Sequence, residues 1–174
     1  MRSALERVVW ADQWLLLAVR RLESRGMTRL MRALTQVGEP ANWTVLGLAL
    51  GFSGGDGPRH CALLGVGSIL AVILSQVLKR LCCRQRPNCG IGGFAALVEN
   101  PDAFSFPSGH TSVAFAVAVA LAGAGSGLGV LVLALACGIA LSRVYLGAHY
   151  PLDVAAGVLV GAASGTMAKL LVGF

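Results

Sequence analysis

The sequence predicts an all-α protein: a polytopic bundle of transmembrane helices with five or six spans and one or more interfacial helices at the N-terminus. Of its 174 residues, 56% are hydrophobic and 13% are charged, whereas soluble domains carry about 25% charged residues. The mean hydropathy is +0.73, and several apolar stretches approach the roughly 20 residues that cross a bilayer core. Residues 1–174 are therefore expected to form a single membrane-embedded domain.

The N-terminal region, residues 1–40, is expected to be a first span or an interfacial region. Its apolar stretch at 8–19 contains Asp12 and Gln13, so this segment is predicted either to cross the membrane or to lie along its surface. Residues 25–40 alternate Arg with Leu and Met, a pattern typical of an interfacial helix. The placement of residues 8–19 decides whether the span count is five or six.

The later part of the chain supplies the clearer spans. A short apolar segment, 41–52, follows a proline that suits the first turn of a helix. The four longest candidates are 61–78, 111–124, 128–141 and 152–172. In the last of these, Gly157, Gly161 and Gly165 recur at every fourth position and permit close helix packing. Residues 83–107 are expected to form a long loop, and such a loop beside a membrane is usually functional or disordered.

Few ionisable residues lie in the C-terminal part of the chain, and most of them need an explanation. Three charged residues follow Asp102. They are Arg143, Asp153 and Lys169. The same region contains two of the three histidines, His110 and His149. Ionisable groups at membrane depth are costly and tend to mark function, although Lys169 near the C-terminus is expected to snorkel to the interface.

Because consecutive spans run in opposite directions, the polar ends of several segments are expected at one membrane face. The ionisable residues brought together in this way are Lys79, Arg86, His110, Arg143, His149 and Asp153. Their three cations suit a dianionic phosphoryl group, whose oxygens arginine binds bidentately. Ser108 and Gly109 begin a helix whose N-terminal N–H groups and dipole attract the same anion.

His149 and Asp153 have the spacing of a nucleophile and the carboxylate that orients it. Asp153 lies four residues beyond His149, and we expect it to accept a hydrogen bond from the imidazole ring. Such a bond fixes the tautomer and makes the other ring nitrogen a better nucleophile. The alternative interpretation is structural: Asp153 caps the helix that Pro151 starts, and His149 lies at headgroup level.

Three segments resemble the signature motifs of the type 2 phosphatidic acid phosphatase family. They are KRLCCRQRP at 79–87, PSGH at 107–110 and SRVYLGAHYPLD at 142–153. The family patterns are KxxxxxxRP, PSGH and SRxxxxxHxxxD, and every specified position is matched in order. The resemblance implies an integral membrane lipid phosphatase whose catalytic core is 59–172.

The same resemblance implies a role for each matched residue. The enzyme would need no metal or other cofactor and would form a phosphohistidine intermediate. His149 would attack phosphorus, Asp153 would orient it, and His110 would protonate the leaving oxygen before activating water. The phosphoryl oxygens would be held by Lys79, Arg86, Ser108, Gly109 and Arg143.

The expected partners are a lipid phosphate and the bilayer, rather than nucleic acid. The net charge of +6 would suit nucleic acid, but most arginines flank apolar segments, where they meet lipid headgroups. A polyprenyl diphosphate of the undecaprenyl type is the expected substrate, because small family members resembling this chain often act on that carrier. Phosphatidic acid or phosphatidylglycerophosphate is the alternative lipid. A non-catalytic lipid-phosphate binder or a transporter is the alternative class.

The membrane is expected to be a bacterial cytoplasmic membrane, and two patterns disagree about which face carries the site. Five arginines between residues 20 and 32, together with Arg80 and Arg84, favour a cytoplasmic site if the N-terminal region lies on that side. Resemblance to carrier-lipid recycling enzymes favours an outward-facing site, which is the expectation adopted. The sequence leaves the oligomeric state open.

Overall fold

The computed structural model describes residues 3–99, 102–122 and 127–173, and the regular secondary structure in these ranges is helical. An isolated antiparallel bridge between Gln85 and Phe104 joins the two ends of the long loop. The helices of the described residues are α1 (Ala4–Arg20), α2 (Arg25–Val37), α3 (Pro40–Gly51), α4 (Gly57–Cys82), α5 (Pro87–Gly90), α6 (Gly109–Ala120), α7 (Leu128–Tyr145) and α8 (Pro151–Val172). The predicted all-α class is confirmed.

Three of these helices, α4, α7 and α8, are long and apolar enough to cross a membrane. They contain the predicted spans 61–78, 128–141 and 152–172. The fourth predicted span, 111–124, corresponds to the shorter apolar helix α6, and its last two residues lie outside the described residues. The chain is therefore an integral membrane protein, and the polytopic bundle expected from its composition is confirmed.

Helix α6 lies at the centre of the bundle, packed between α4, α7 and α8. Eight of its twelve residues are buried, and most of those are small. The glycines of α8 make this packing possible: a Cβ atom at Gly157 would lie 2.8 Å from the Ser108 carbonyl oxygen, and one at Gly165 would lie 2.9 Å from Val119 Cβ. The close approach predicted from the glycine spacing is confirmed.

The outward faces of the spanning helices are apolar. Large hydrophobic side chains are exposed there, as expected of a surface that faces lipid. They include Ile69 and Ile73 on α4, Val130 and Leu131 on α7, and Leu159 and Leu170 on α8. This exposed apolar surface is suited to contact with the lipid chains of a bilayer.

The N-terminal helices pack beside the mouth of the bundle. Helix α2 is amphipathic: Met31 and Thr35 are buried, whereas its arginines are exposed. The start of α2 is fixed to α7, because the Ser24 backbone N–H donates to the Tyr145 hydroxyl at 3.1 Å. Helix α1 carries a buried carboxylate, Asp12, on the face that contacts α8. Both helices therefore reach the end of the bundle where the three sequence motifs meet.

Candidate active site

The predicted cluster surrounds a cavity of about 250 Å³ at one end of the bundle. The end of α4, the start of α6 and the end of α7 each supply part of its wall. Of the residues predicted for the site, those lining the cavity are Lys79, Arg86, Gly109, His110, Arg143 and His149. The opposite directions of successive spans thus bring separate polar segments to one place, as the sequence predicts.

His149 is buried in the wall of this cavity, and a hydrogen bond to the backbone fixes the orientation of its ring. Its Nδ1 donates to the Ser105 carbonyl oxygen at 2.7 Å, which leaves Nε2 as the nitrogen with the available lone pair. Arg86 Nη1 lies 3.4 Å from Nε2. Burial, the largest cause, lowers the pKa of His149 to about 3, so the ring is neutral at physiological pH. A neutral ring with an unprotonated Nε2 is the form that can attack phosphorus.

The expected hydrogen bond between His149 and Asp153 is not formed. Asp153 Oδ2 lies 3.7 Å from His149 Nδ1, which is beyond hydrogen-bonding distance. The physical reason is that Tyr150 is the N-cap of α8, in an extended conformation, so His149 precedes the helix. The Asp153 carboxylate turns back to accept the Tyr150 N–H at 2.9 Å. Asp153 therefore caps α8 and approaches His149 as a nearby negative charge.

The other oxygen of Asp153 belongs to a buried ionic network. Arg84 Nη1 donates to Asp153 Oδ1 at 2.7 Å, and Arg84 Nη2 donates to Asp12 Oδ2 at 2.5 Å. Asp12 also accepts the Leu152 backbone N–H at 2.9 Å. Both carboxylates are almost completely buried, and their shared arginine stacks on the Tyr150 ring at 4.1 Å. A buried carboxylate needs such a partner to remain charged.

Lys79 and Arg86 share a loop carboxylate. Lys79 Nζ is hydrogen-bonded to Asp102 Oδ2, and Arg86 Nη2 lies 3.9 Å from the same oxygen. Arg86 Nε also donates to the Asp102 carbonyl oxygen at 2.7 Å. Burial acts to raise the pKa of Asp102, but the hydrogen bond and charge of Lys79 outweigh it and hold the pKa below its usual value. Asp102 is therefore a carboxylate that faces two of the predicted phosphate ligands.

The third cation, Arg143, lies near the end of α7 and is also buried. Its Nη1 donates to the Thr35 hydroxyl at 2.6 Å, so α2 fixes the position of its guanidinium. Arg143 lines the cavity together with Lys79 and Arg86. Three cations therefore line one cavity, a charge arrangement that suits a phosphoryl group.

Ser108 and Gly109 occupy different places at the start of α6. Gly109 lines the cavity, and a Cβ atom there would lie 4.0 Å from Lys79 Nζ. Ser108 is fully buried behind the cavity, where its N–H donates to the Asp153 carbonyl oxygen at 3.0 Å and its hydroxyl accepts from Thr111 at 3.0 Å. The backbone N–H of Ser108 is therefore used in packing against α8, and the phosphate contact expected of Ser108 stays a prediction.

His110 lies on the first turn of α6 with its ring directed toward α3. Its Nε2 donates to Glu39 Oε1 at 3.2 Å, and Glu39 lines the same cavity. His110 and His149 therefore both border the volume between the cations. That placement is compatible with the predicted roles, in which His149 attacks phosphorus and His110 transfers a proton.

Comparison with known protein families assigns the chain to a family. Residues 61–173 match the family model described as the PAP2 superfamily. The chain belongs to the PAP2 superfamily. The resemblance that the three sequence motifs predict is thereby confirmed, and this PAP2 chain is a lipid phosphatase embedded in the membrane.

Individual PAP2 relatives support the same assignment. A decaprenylphosphoryl-5-phosphoribose phosphatase of Mycobacterium tuberculosis is 34% identical over 143 residues, covering 82% of this chain and 78% of the relative. An undecaprenyl-diphosphatase of Sulfolobus acidocaldarius is 33% identical over 99 residues, covering 56% and 48%. A crystal structure of a PAP2-type phosphatidylglycerolphosphate phosphatase from Bacillus subtilis superimposes with a TM-score of 0.78 at 25% identity, covering 95% of this chain and 86% of that one.

The PAP2 motifs did not reveal four charged residues that the structure places at the site. Arg84 occupies an unspecified position of the first motif, and Asp12, Asp102 and Glu39 lie outside all three motifs. Only their charge, in a chain with few charged residues, could have drawn attention to them. Within residues 3–99, 102–122 and 127–173, no group of three or more His, Cys, Asp or Glu side chains is arranged to hold a metal ion.

Proposed function

We propose that this PAP2 phosphatase removes the terminal phosphate from a polyprenyl diphosphate or a related polyprenyl-linked phosphate through a phosphohistidine intermediate. The observation that carries the proposal is the position of His149. Its Nδ1 proton is held by Ser105, and its Nε2 faces a cavity bordered by three cations. This arrangement supports attack of a neutral imidazole on a bound phosphoryl group.

In the first step, the lone pair of His149 Nε2 forms a bond to phosphorus while the bond from phosphorus to the leaving oxygen breaks. The imidazolium form of His110, whose charge is stabilised by the Glu39 carboxylate 3.2 Å away, gives a proton to that oxygen, which prevents a high-energy anion from leaving. Lys79, Arg86 and Arg143 balance the charge on the other phosphoryl oxygens, the main contribution expected of the protein in phosphoryl transfer. The dephosphorylated lipid then departs.

In the second step, water hydrolyses the phosphohistidine. His110, now neutral, accepts a proton from the water molecule as the water oxygen attacks phosphorus. The bond between phosphorus and Nε2 breaks, its electron pair returns to the ring, and inorganic phosphate is formed. Asp153, 3.7 Å from Nδ1, stabilises the positive charge that the ring carries while it is phosphorylated.

The polyprenyl substrate is proposed from the relatives, since two of them carry names that include a prenyl-linked phosphate. Phosphatidylglycerophosphate remains a second candidate because of the structural likeness to the Bacillus subtilis enzyme. The decisive experiment measures phosphate release by purified protein in detergent with undecaprenyl diphosphate, phosphatidic acid and phosphatidylglycerophosphate. Fastest turnover of either phospholipid would reject the polyprenyl assignment.

The same assay tests independence from metal. We expect phosphate release to be unchanged in excess chelator, because histidine rather than a metal-bound water is the proposed nucleophile. Orthovanadate is expected to inhibit, since it can adopt a five-coordinate form that resembles the transition state. Loss of activity in chelator, followed by recovery with a divalent ion, would contradict the mechanism. No turnover of any lipid would favour the binder or transporter alternative.

The site is proposed to face outward from a bacterial cytoplasmic membrane, and native cysteines can test this. Cys82, Cys83 and Cys89 are free and exposed beside the site. A membrane-impermeant maleimide applied to intact cells should therefore label the protein. A variant with serine at these three positions retains Cys61 and Cys137, which lie in spanning helices, and serves as the control. Labelling only after lysis would assign the site to the cytoplasmic face and favour a phospholipid of that leaflet.

A further inference from the structure

Asp102 reaches the cation cluster from the water side of the cavity. The side chains of Lys79 and Arg86 are each 6% exposed, whereas the Asp102 side chain is 41% exposed. One carboxylate oxygen, Oδ2, accepts the Lys79 hydrogen bond and lies 3.9 Å from Arg86 Nη2. The carboxylate therefore covers two buried cations while it remains accessible to solvent.

A phosphoryl oxygen and a carboxylate oxygen are equivalent ligands for these cations, because each is a charged acceptor. A phosphate bound between Lys79 and Arg86 would bring its own negative oxygens against Asp102 Oδ2. Like charges in a partly buried site repel strongly. Asp102 and the substrate phosphate therefore compete for the same donors, and one must move when the other binds.

We propose that Asp102 is a specificity-determining residue, whose carboxylate excludes monoanionic phosphodiesters from the site and yields only to a dianionic terminal phosphate. The proposal rests on the function proposed for this site. A dianion gains about twice the Coulomb energy of a monoanion with the same cations. A diester offers no more charge than Asp102 itself, and Asp102 has the advantage of a high effective concentration because the chain tethers it.

The test compares wild-type protein with Asp102→Asn, which preserves the shape of the side chain and removes its charge. Binding of inorganic phosphate, methyl phosphate and dimethyl phosphate is measured by calorimetry in detergent at about pH 8, where the first two are mostly dianions. We expect inorganic phosphate to bind at least about 10-fold more tightly to the variant, the size of effect of one charged hydrogen bond. We also expect the preference for methyl phosphate over dimethyl phosphate to fall.

Glu99→Gln is the matched control, because it removes one negative charge from the same loop. Glu99 lines an outer cleft that shares Arg86 and Asp102 with the cavity, but Glu99 does not line the cavity itself, so this variant should bind the three probes as the wild type does. Asp102→Ser provides a second test, with the same expectation, if the asparagine variant folds poorly.

Phosphate affinity in both Asp102 variants that is no higher than in wild type, including no measurable binding to any of them, would overturn the proposal. An equal gain in Glu99→Gln would also overturn it. Because the measurement is of binding, it separates this proposal from the catalytic one: wild-type protein that binds phosphate but hydrolyses no lipid would refute the proposed function alone.

Discussion

Replacement of His149 by alanine is expected to abolish turnover, with a loss of at least about 10⁴-fold in kcat, the scale seen when a covalent nucleophile is removed. The loss is large because the cations can still bind phosphate but no atom remains to attack it. Phosphate release from the lipid substrate gives the rate, and radiolabelled phosphate trapped on the protein by rapid denaturation reports the intermediate. Both signals should disappear in the variant.

His60→Ala is the matched control for this experiment. His60 lies near the start of α4, whereas Lys79 and the site lie near its other end. Its loss should leave turnover within about two-fold of wild type, as expected of a substitution away from the reacting groups. Thermal unfolding of both variants reports whether the bundle is intact. Substantial turnover by folded His149→Ala protein would refute the assignment of the nucleophile.

Replacement of His110 by alanine is expected to slow turnover by about 10²- to 10⁴-fold for a phosphate monoester, the usual contribution of a general acid. The effect should be smaller for a polyprenyl diphosphate, because its leaving group is a phosphate and needs the proton less than an alkoxide does. The informative quantity is the ratio of the two rate losses in the same variant. The rates are measured with phosphatidic acid and undecaprenyl diphosphate.

Equal losses on the two substrates would contradict a role for His110 in protonating the leaving oxygen. A contrasting control is Glu39→Gln, which retains the histidine and replaces the carboxylate 3.2 Å from its Nε2. If Glu39 only orients the ring, this variant should lose much less than His110→Ala on the monoester. The comparison thus separates proton transfer from the placement of the group that performs it.

The sequence predicted the class of fold and the residues of the cavity because both leave local signals. The length of the apolar segments indicates the spans. Because consecutive spans run in opposite directions, Lys79, His110 and Arg143 lie at one end of the bundle. Helix α6 was expected to be longer than the described helix, Gly109–Ala120. The three motifs and the family match support each other, whereas the catalytic roles of the residues remain predictions.

The contacts around the site could not be predicted because they depend on packing between distant segments. Arg84 lies 72 residues from Asp12 and 69 from Asp153, and no periodic pattern connects them. The interval of four residues between His149 and Asp153 predicted a hydrogen bond from the imidazole ring to the carboxylate. Pro151 starts α8 as predicted, but the carboxylate binds the Tyr150 backbone and the ring binds Ser105.

The ion pair between Asp12 and Arg84 makes the catalytic region depend on the N-terminal helix α1. The family model matches residues 61–173, yet Arg84, which neutralises Asp153, also pairs with Asp12 of α1. A hybrid made by grafting residues 61–173 onto another protein's leading helices would bury Arg84 without the carboxylate it is matched to. A replacement for the N-terminal helices is therefore expected to support the site only if it places an acidic side chain beside Arg84.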